Sequence, residues 1–175
     1  MKMLRFPKLR QTYDHDCGAK ALQAVLAYYG IEVREDVLIK HTETTKDGTS
    51  IDEIVNALGE YGLDSESRTM TIEEVIGFIN SKIPVMLVLQ AWTKKDQVDW
   101  ENDWDDGHYA IAIGYSKKKM YFEDPSSFHR TFLAFNELKE RWHDVGTNGN
   151  KYINYGIAIY GKKPGFKLDM PVHMD

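Results

Sequence analysis

The stretch Gln11 to Gly30, QTYDHDCGAKALQAVLAYYG, decides how the chain begins to fold and carries its only cysteine, Cys17. Apolar side chains follow the cysteine at helical spacing: Leu22, Val25, Leu26 and Tyr29. This pattern predicts a helix from Cys17 to Tyr29 that stops at Gly30, with Asp16 placed to cap its start. Because the positive end of a helix dipole stabilises a thiolate, the position of Cys17 indicates a sulfur nucleophile.

The rest of the chain divides into a helical half and a strand half. Helices are expected at Glu35 to Lys40, after the Ser50/Glu53 capping pair, after the Thr71/Glu74 capping pair, and near Asn136. Strands are expected over Pro84 to Gln90, His108 to Tyr115, Met120 to Asp124 and Tyr152 to Tyr160. A polar segment, Thr93 to Asp106, reads as a long loop. Helices first and an antiparallel sheet second predict an α+β fold, with the N-terminal helices packed on the C-terminal sheet.

Size and composition exclude several classes of protein. The chain has 175 residues, 42% hydrophobic and 28% charged, which suits one globular domain over 1–175 with 162–175 as a tail. The net charge of −5 and the absence of a basic stripe argue against nucleic-acid binding. The longest apolar run, Ile83 to Leu89, is too short to span a bilayer, and no secretory signal is recognisable. A single cysteine fits a reducing compartment, so we expect a cytoplasmic protein.

The predicted hairpin of the strand half offers a base and an acid. Alternation along His108 to Tyr115 puts His108, Ala110, Ala112 and Gly114 on one face. If the hairpin is centred on Ser116, Asp124 lies opposite His108 and points to the same side of the sheet. Because the other side chains of this face are small, we expect the Cys17 helix to dock on it.

Cysteine, histidine and aspartate in this arrangement have distinct chemical roles. A neighbouring imidazole stabilises a thiolate, so His108 is the expected proton acceptor and later the donor to the leaving amine. Asp124 would orient the imidazole and stabilise its charge. The backbone N–H of Cys17 and the side-chain amide of Gln11 are candidate donors to an oxyanion. His15 is a weaker rival base, because adjacent positions at a helix start point apart.

Several motifs in order resemble those of a known family. These are Q-x5-C-G from Gln11, YYG at the end of the helix, GTS at Gly48 to Ser50, G-H-Y-x-I-x-I-G-Y from Gly107, and the Asp124–Pro125 pair. The set resembles the bacteriocin-processing double-glycine peptidases of the papain-like cysteine peptidase superfamily. The resemblance covers roughly residues 11–125.

The resemblance implies a papain-like fold and cleavage after a Gly-Gly pair in a leader peptide. It implies Cys17 as nucleophile, His108 as base, Asp124 as orienting residue and Gln11 as oxyanion donor. A peptide or leader peptide would be the substrate and a separate exporter a possible partner, with no cofactor and no metal. Two alternatives share the same site: an acyl or peptidyl transferase, and a catalytically idle peptide-binding module.

The acidic segment before His108 has two interpretations. Its carboxylates are Asp96, Asp99, Glu101, Asp103, Asp105 and Asp106. Their spacing does not match a calcium-binding loop, so a solvated surface loop is the simpler interpretation. The alternative is a groove wall that selects cationic substrates, because the segment leads directly into the expected base. On that interpretation Trp100 and Trp104 are contact surfaces, and Trp104, Asp106 and Gly107 bind the substrate.

Overall fold

The computed structural model describes residues 1–167, 171, 173 and 174. The helices are α1 (Cys17–Tyr28), α2 (Glu35–His41), α3 (Ile51–Glu60), α4 (Ile72–Asn80) and α5 (Phe135–Arg141). The strands are β1 (Lys2–Met3), β2 (Asp64–Thr69), β3 (Val85–Gln90), β4 (Gly107–Tyr115), β5 (Lys119–Glu123), β6 (Thr131–Ala134), β7 (His143–Val145), β8 (Lys151–Ile153) and β9 (Tyr155–Tyr160). The α+β prediction is confirmed.

An antiparallel sheet runs through the molecule in the order β2-β9-β3-β4-β5-β6, and β1 adds to β4. All six residues of β3 are buried, because this strand is central and has neighbours on both edges. Helices α1 and α4 pack on β4, whereas α5 packs on β5 and β6. The strand that carries His108 therefore lies at the centre of the fold, in contact with the cysteine helix.

The helix starts differ in how their first N–H groups are satisfied. Thr71 forms the full capping box with Glu74, and the Ser50 hydroxyl accepts from the backbone N–H of Glu53 at 3.1 Å. The cap expected from Asp16 is not formed. Its carboxylate turns back and accepts from the backbone N–H groups of Thr12 and Tyr13.

The strands depart from expectation at several places. Strands β1, β2, β6 and β7 were not anticipated, because each is very short or lacks the apolar alternation of a half-buried strand. The expected strand Tyr152 to Tyr160 is two strands, since Asn154 has a left-handed backbone (φ 49°) that ends β8 and begins β9.

The hairpin β4–β5 also has a different register from the expected one. Ala112 pairs with Phe122 and Ile111 with Glu123, and a bulge follows before Gly114. Continued to the next pair, this register puts Asp124 opposite Ala110 rather than His108, which is two residues away on the same face. The docking prediction was also wrong, because Gly18 of α1 lies against the ring of Tyr109 on the other face of β4.

The expected tail, 162–175, is only partly covered by the description. The backbone N–H groups of Gly165 and Phe166 donate to the carbonyl of Tyr28, at 3.0 and 3.1 Å. This part of the chain therefore satisfies the last carbonyl of α1. Residues 168–170, 172 and 175 lie outside the described residues. Among the helices described, none is both long and apolar enough to cross a membrane.

Candidate active site

Cys17 occupies the first position of α1, at the end of a segment held in a fixed shape. Asp16 is fully buried and gathers the N–H groups of Thr12 and Tyr13, while the Thr12 hydroxyl donates to Glu35 on α2. Because the Asp16 side chain does not cap the helix, it leaves the first-turn N–H groups of α1 free to bind an oxyanion. Burial raises the pKa of Asp16, and the neighbouring Glu35 adds to the shift.

A close contact brings the start of α1 against β4. A methyl group on Gly18 would lie 2.8 Å from the Cβ atom of Thr49 and 3.2 Å from the ring of Tyr109. The Tyr109 hydroxyl in turn donates to the carbonyl of Thr49 at 2.8 Å. Glycine therefore lets the helix, the segment before α3 and the strand meet, which sets Cys17 beside His108.

His108 is buried between Cys17 and Asp124. Its Nε2 atom lies 2.8 Å from Oδ1 of Asp124, and the residue borders the same two openings as Cys17. Burial alone would lower the pKa of His108, but the hydrogen bonds and charges of Asp124 and Cys17 outweigh burial and raise it to about 10. The imidazole is therefore protonated and charged at neutral pH.

Asp124 follows β5 and accepts hydrogen bonds on both carboxylate oxygens. Oδ1 accepts from the backbone N–H of Ser126 at 2.9 Å as well as from His108. Oδ2 accepts from the indole N–H of Trp92 and the hydroxyl of Thr131, each at 3.1 Å. Burial opposes ionisation, yet the hydrogen bonds and the charge of His108 lower the pKa of Asp124. The charged pair is thus the stable form of these two residues.

Gln11 links the segment before the helix to the turn after Asp124. Its Nε2 atom donates to the carbonyl of Tyr13 at 2.6 Å, and its Oε1 atom accepts from the Ser126 hydroxyl at 3.0 Å. The side chain lines the same cleft as Cys17. An amide carries two N–H groups, so one remains for a ligand.

Two openings meet at Cys17 and His108. One is a cleft of about 540 Å³ that Gln11, Trp92 and Asp106 also line. The other is a smaller pocket of about 210 Å³, with Gly48, Thr49, Trp104 and Asp144 in its walls. Gly107 borders both. Thus Trp104, Asp106 and Gly107, the residues expected to contact substrate, all lie on walls next to Cys17.

Asp144 brings a half-buried carboxyl group to the smaller pocket. Its Oδ1 atom accepts from Gln90 Nε2 at 3.0 Å and from the backbone N–H of Val145 at 2.8 Å. A side chain at Gly107 would overlap this carboxylate. Burial raises the pKa of Asp144 to about 6. The group therefore titrates near neutral pH, in the wall beside the candidate nucleophile.

Three carboxylates of the acidic loop pair with a lysine of the same loop, which neither interpretation of the sequence anticipated. Lys95 pairs with Asp103, with Asp105 at 3.0 Å and with Asp106 at 3.7 Å. The Trp104 ring packs on His143, with a centroid distance of 4.4 Å. Lys95 carries one positive charge against these three carboxylates, so the loop keeps a net negative charge next to the cleft.

Other candidate groups lie outside this arrangement. The His15 ring stacks on Tyr13 with a centroid distance of 5.7 Å. No group of three or more His, Cys, Asp or Glu residues suited to a metal ion occurs within the described part of the chain. The site therefore consists of a thiol, an imidazole and a carboxylate with their hydrogen-bond donors.

Comparison with known proteins gives this arrangement a context. The sequence profile of the peptidase C39 family matches residues 5–146. The chain belongs to the peptidase C39 family. Membership makes it a cysteine peptidase, which confirms the predicted enzyme class and the resemblance to double-glycine peptidases. One relative is the pediocin PA-1 transport/processing ATP-binding protein PedD of Pediococcus acidilactici, 22% identical over 136 residues. The match covers 77% of this chain but only 17% of that relative.

Solved structures show the same fold. A double glycine motif protease from an AMS/PCAT transporter, solved with its leader peptide, superposes with a TM-score of 0.68 at 18% identity, covering 92% of this chain and 95% of that one. The peptidase domain of Streptococcus ComA gives 0.64 at 18% identity, covering 88% and 97%. A C39-like peptidase from Bacillus anthracis gives 0.68 at 17% identity, covering 94% and 99%.

Sequence reasoning missed the groups that hold Asp124. Trp92 stands at the start of what looked like an unstructured loop, and Thr131 lies on a strand that was not anticipated. Ser126 follows the Asp124–Pro125 pair, where a turn was a plausible interpretation. A carboxylate followed by Pro-Ser was the one available signal, since such segments commonly fold back to cap the side chain.

Proposed function

We propose that the protein hydrolyses peptide bonds through Cys17, His108 and Asp124, and cleaves after a Gly-Gly pair in a leader peptide. The observation that carries the proposal is the position of the His108 ring, buried between the Cys17 thiol and the Asp124 carboxylate. An imidazole held charged in this way stabilises a thiolate, which is the reactive form of cysteine.

The geometry suggests a complete reaction sequence. Nε2 of His108 is engaged by Asp124, which leaves Nδ1 to exchange a proton with Cys17. The thiolate adds to the carbonyl carbon of the substrate, and Nδ1–H passes its proton to the departing amine as the C–N bond breaks. Water then adds to the thioester and gives a proton to Nδ1. The C–S bond breaks, releasing the acid and restoring the thiolate.

The oxyanion formed in both steps needs donors that are fixed before the reaction. The backbone N–H of Cys17 is one, because Asp16 leaves the first turn of α1 uncapped. The second N–H of the Gln11 amide is the other, and its first holds the side chain on Tyr13. These two groups belong to one segment, so their spacing is set before substrate binds.

The proposed substrate class draws on the relatives and on the smaller pocket. A related double glycine motif protease was solved in complex with the leader peptide. In this chain a pocket of about 210 Å³ beside Cys17, bounded by Tyr109 and Asp144, offers room for the residues next to the cleaved bond. Trp104, Asp106 and Gly107 would form the walls that the peptide contacts.

The same proposal takes a peptide exporter as partner and the cytoplasm as compartment. The relative from Pediococcus acidilactici is named a transport/processing ATP-binding protein, and ATP is a cytoplasmic nucleotide. Fractionation of cells that express the chain, followed by cross-linking, tests both points.

The deciding experiment is digestion of synthetic peptides that contain Gly-Gly, Gly-Ala or Ala-Gly at one fixed position, with products identified by mass. Wild-type protein should cut after Gly-Gly, and Cys17→Ala should not. An excess of glycinamide separates two reactions, since a transferase would yield the amide conjugate instead of the acid. Tight binding of the Gly-Gly peptide without any product would contradict the proposal and favour an idle binding module.

A further inference from the structure

Trp92 combines three features that the chemistry described so far does not use. Its backbone is left-handed, with φ of 60°, a conformation that a bulky aromatic residue rarely adopts. Its side chain is 54% exposed. Its indole N–H nevertheless donates to Oδ2 of Asp124, a carboxylate that is almost fully buried. Strained backbone of this kind persists only where the surrounding structure holds it, and it concentrates at functional sites.

The surroundings of Trp92 show how the strain is held. The backbone N–H of Ala91 donates to the carbonyl of Asp106 at 2.9 Å, and the N–H of Asp106 donates to Oε1 of Gln90 at 2.8 Å. The two ends of the acidic loop are therefore joined immediately before Trp92. The left-handed backbone of Trp92 follows this fixed point, and the indole N–H reaches the Asp124 carboxylate.

The Trp92 ring also separates two spaces. It lines the cleft that holds Cys17 and, on its other side, a mostly apolar cavity of about 350 Å³ bounded by Ala110 and Phe122. His108 and Asp124 border this cavity too. The indole N–H of Trp92 therefore meets the Asp124 carboxylate next to this apolar cavity.

We infer that Trp92 is a positioning residue: its indole N–H fixes Oδ2 of Asp124, so that Oδ1 stays on Nε2 of His108. Without this donor the carboxylate retains only the Thr131 hydroxyl on Oδ2. It can then rotate and become hydrated, and it supports the imidazolium less well. The effect on turnover rests on the proposed function, whereas the effect on His108 exists in the free protein.

The test compares Trp92→Phe, which keeps an aromatic ring and removes the donor, with Trp100→Phe. Trp100 lies in the same loop but, contrary to the groove-wall interpretation, lines neither opening beside Cys17, and the Arg141 guanidinium packs over its ring at 3.8 Å. The readouts are the NMR titration of the His108 imidazole in the free protein and the pH profile of peptide cleavage. Loss of one neutral hydrogen bond should lower kcat roughly 3–10-fold, with KM within about twofold. The His108 titration and the alkaline limb of kcat should both move to lower pH, and Trp100→Phe should move neither.

Each outcome has a distinct meaning. If His108 titrates in Trp92→Phe as it does in wild type, while its titration shifts in Thr131→Val, the indole does not position Asp124 and the inference is wrong. If only KM rises, Trp92 is a substrate wall, which also overturns it. If wild type cleaves no Gly-Gly peptide, the proposed function fails, and the His108 titration still decides the role of Trp92.

Discussion

The Nε2 atom of His108 lies 2.8 Å from the Oδ1 atom of Asp124, although the two residues are not paired in the hairpin that carries them. Asp124 stands just past the end of β5, where its side chain is free of the pleat and can reach along the face to His108. Four hydrogen-bond donors then hold it there. The contact therefore depends on groups outside the hairpin, and mutation of these groups should weaken the contact between His108 and Asp124.

Replacing Asp124 by Asn tests the charge while it keeps the shape of the side chain. The Asp124 carboxylate helps to raise the pKa of His108 to about 10, so the charged imidazolium is lost only as pH rises through that value. Without the carboxylate, the alkaline limb of kcat/KM should move to lower pH and kcat should fall by up to roughly 10⁴-fold. An unchanged alkaline limb would mean that Asp124 does not stabilise the imidazolium.

Asp144 should make the stability of the protein depend on pH. Its pKa is raised from 3.8 to about 6 by burial, so folding favours the protonated form and this contribution is lost as pH rises through about 6. Asp144→Asn should therefore raise the free energy of unfolding at pH 8 by about 1–2 kcal/mol, reduced from the full linkage value because the group borders an open pocket. At pH 4 the gain should be close to zero.

Urea unfolding at the two pH values measures this difference. Asp96→Asn, at an exposed position of the acidic loop, serves as the control and should change the free energy of unfolding by less than about 0.5 kcal/mol at both. Equal stabilisation by Asp144→Asn at pH 4 and pH 8 would show that folding does not raise the pKa of Asp144.

Two helical glycines should respond in opposite directions to alanine. Gly18→Ala places a methyl group against Thr49 and Tyr109, and should lower the free energy of unfolding by roughly 1–3 kcal/mol. Gly77→Ala, in α4 with no neighbour within 4 Å, should raise it by about 0.5–1 kcal/mol through helix propensity. Denaturant titration checks both, and a Gly18→Ala protein as stable as wild type would show that the close contact is absent.

Lys95 should hold the acidic loop in its ordered form. Lys95→Gln removes the cation shared by Asp103, Asp105 and Asp106, and it leaves the buried Asp103 without its counter-charge. Backbone hydrogen exchange over residues 93–106 should then become faster, whereas the neighbouring exposed Lys94→Gln should leave it unchanged. Equal exchange in the two variants would indicate that the loop is ordered by other contacts.

Local patterns in the sequence were sufficient to predict the helices and strands that bury one face. The helix after Cys17, the capped starts at Ser50 and Thr71 and the buried strand before Gln90 all follow from apolar periodicity and N-cap chemistry. The structure also brings together Cys17 and His108, which the sequence offered as candidates, because a thiol at a helix start and a histidine at a strand start need only local order to be recognised.

The remainder depends on contacts between distant parts of the chain. Strand β2, with the sequence DSESRT, has no apolar side chain, and only its pairing with β9 makes it a strand. The bulge before Gly114 shifts the hairpin register, and no local signal marks it. The Asp16 carboxylate accepts from the backbone N–H groups of Thr12 and Tyr13 instead of capping α1, and the N-cap preference alone does not predict this.

The most direct test of the active site is the rate of Cys17 alkylation by iodoacetamide as a function of pH, in wild type and in His108→Ala. A thiolate paired with a charged imidazole should react rapidly at pH 6 in wild type. His108→Ala should lose that reactivity and respond only above about pH 8, as an ordinary thiol does. If the two proteins give the same profile, with slow alkylation at pH 6, then His108 does not activate Cys17 and the proposed mechanism is wrong.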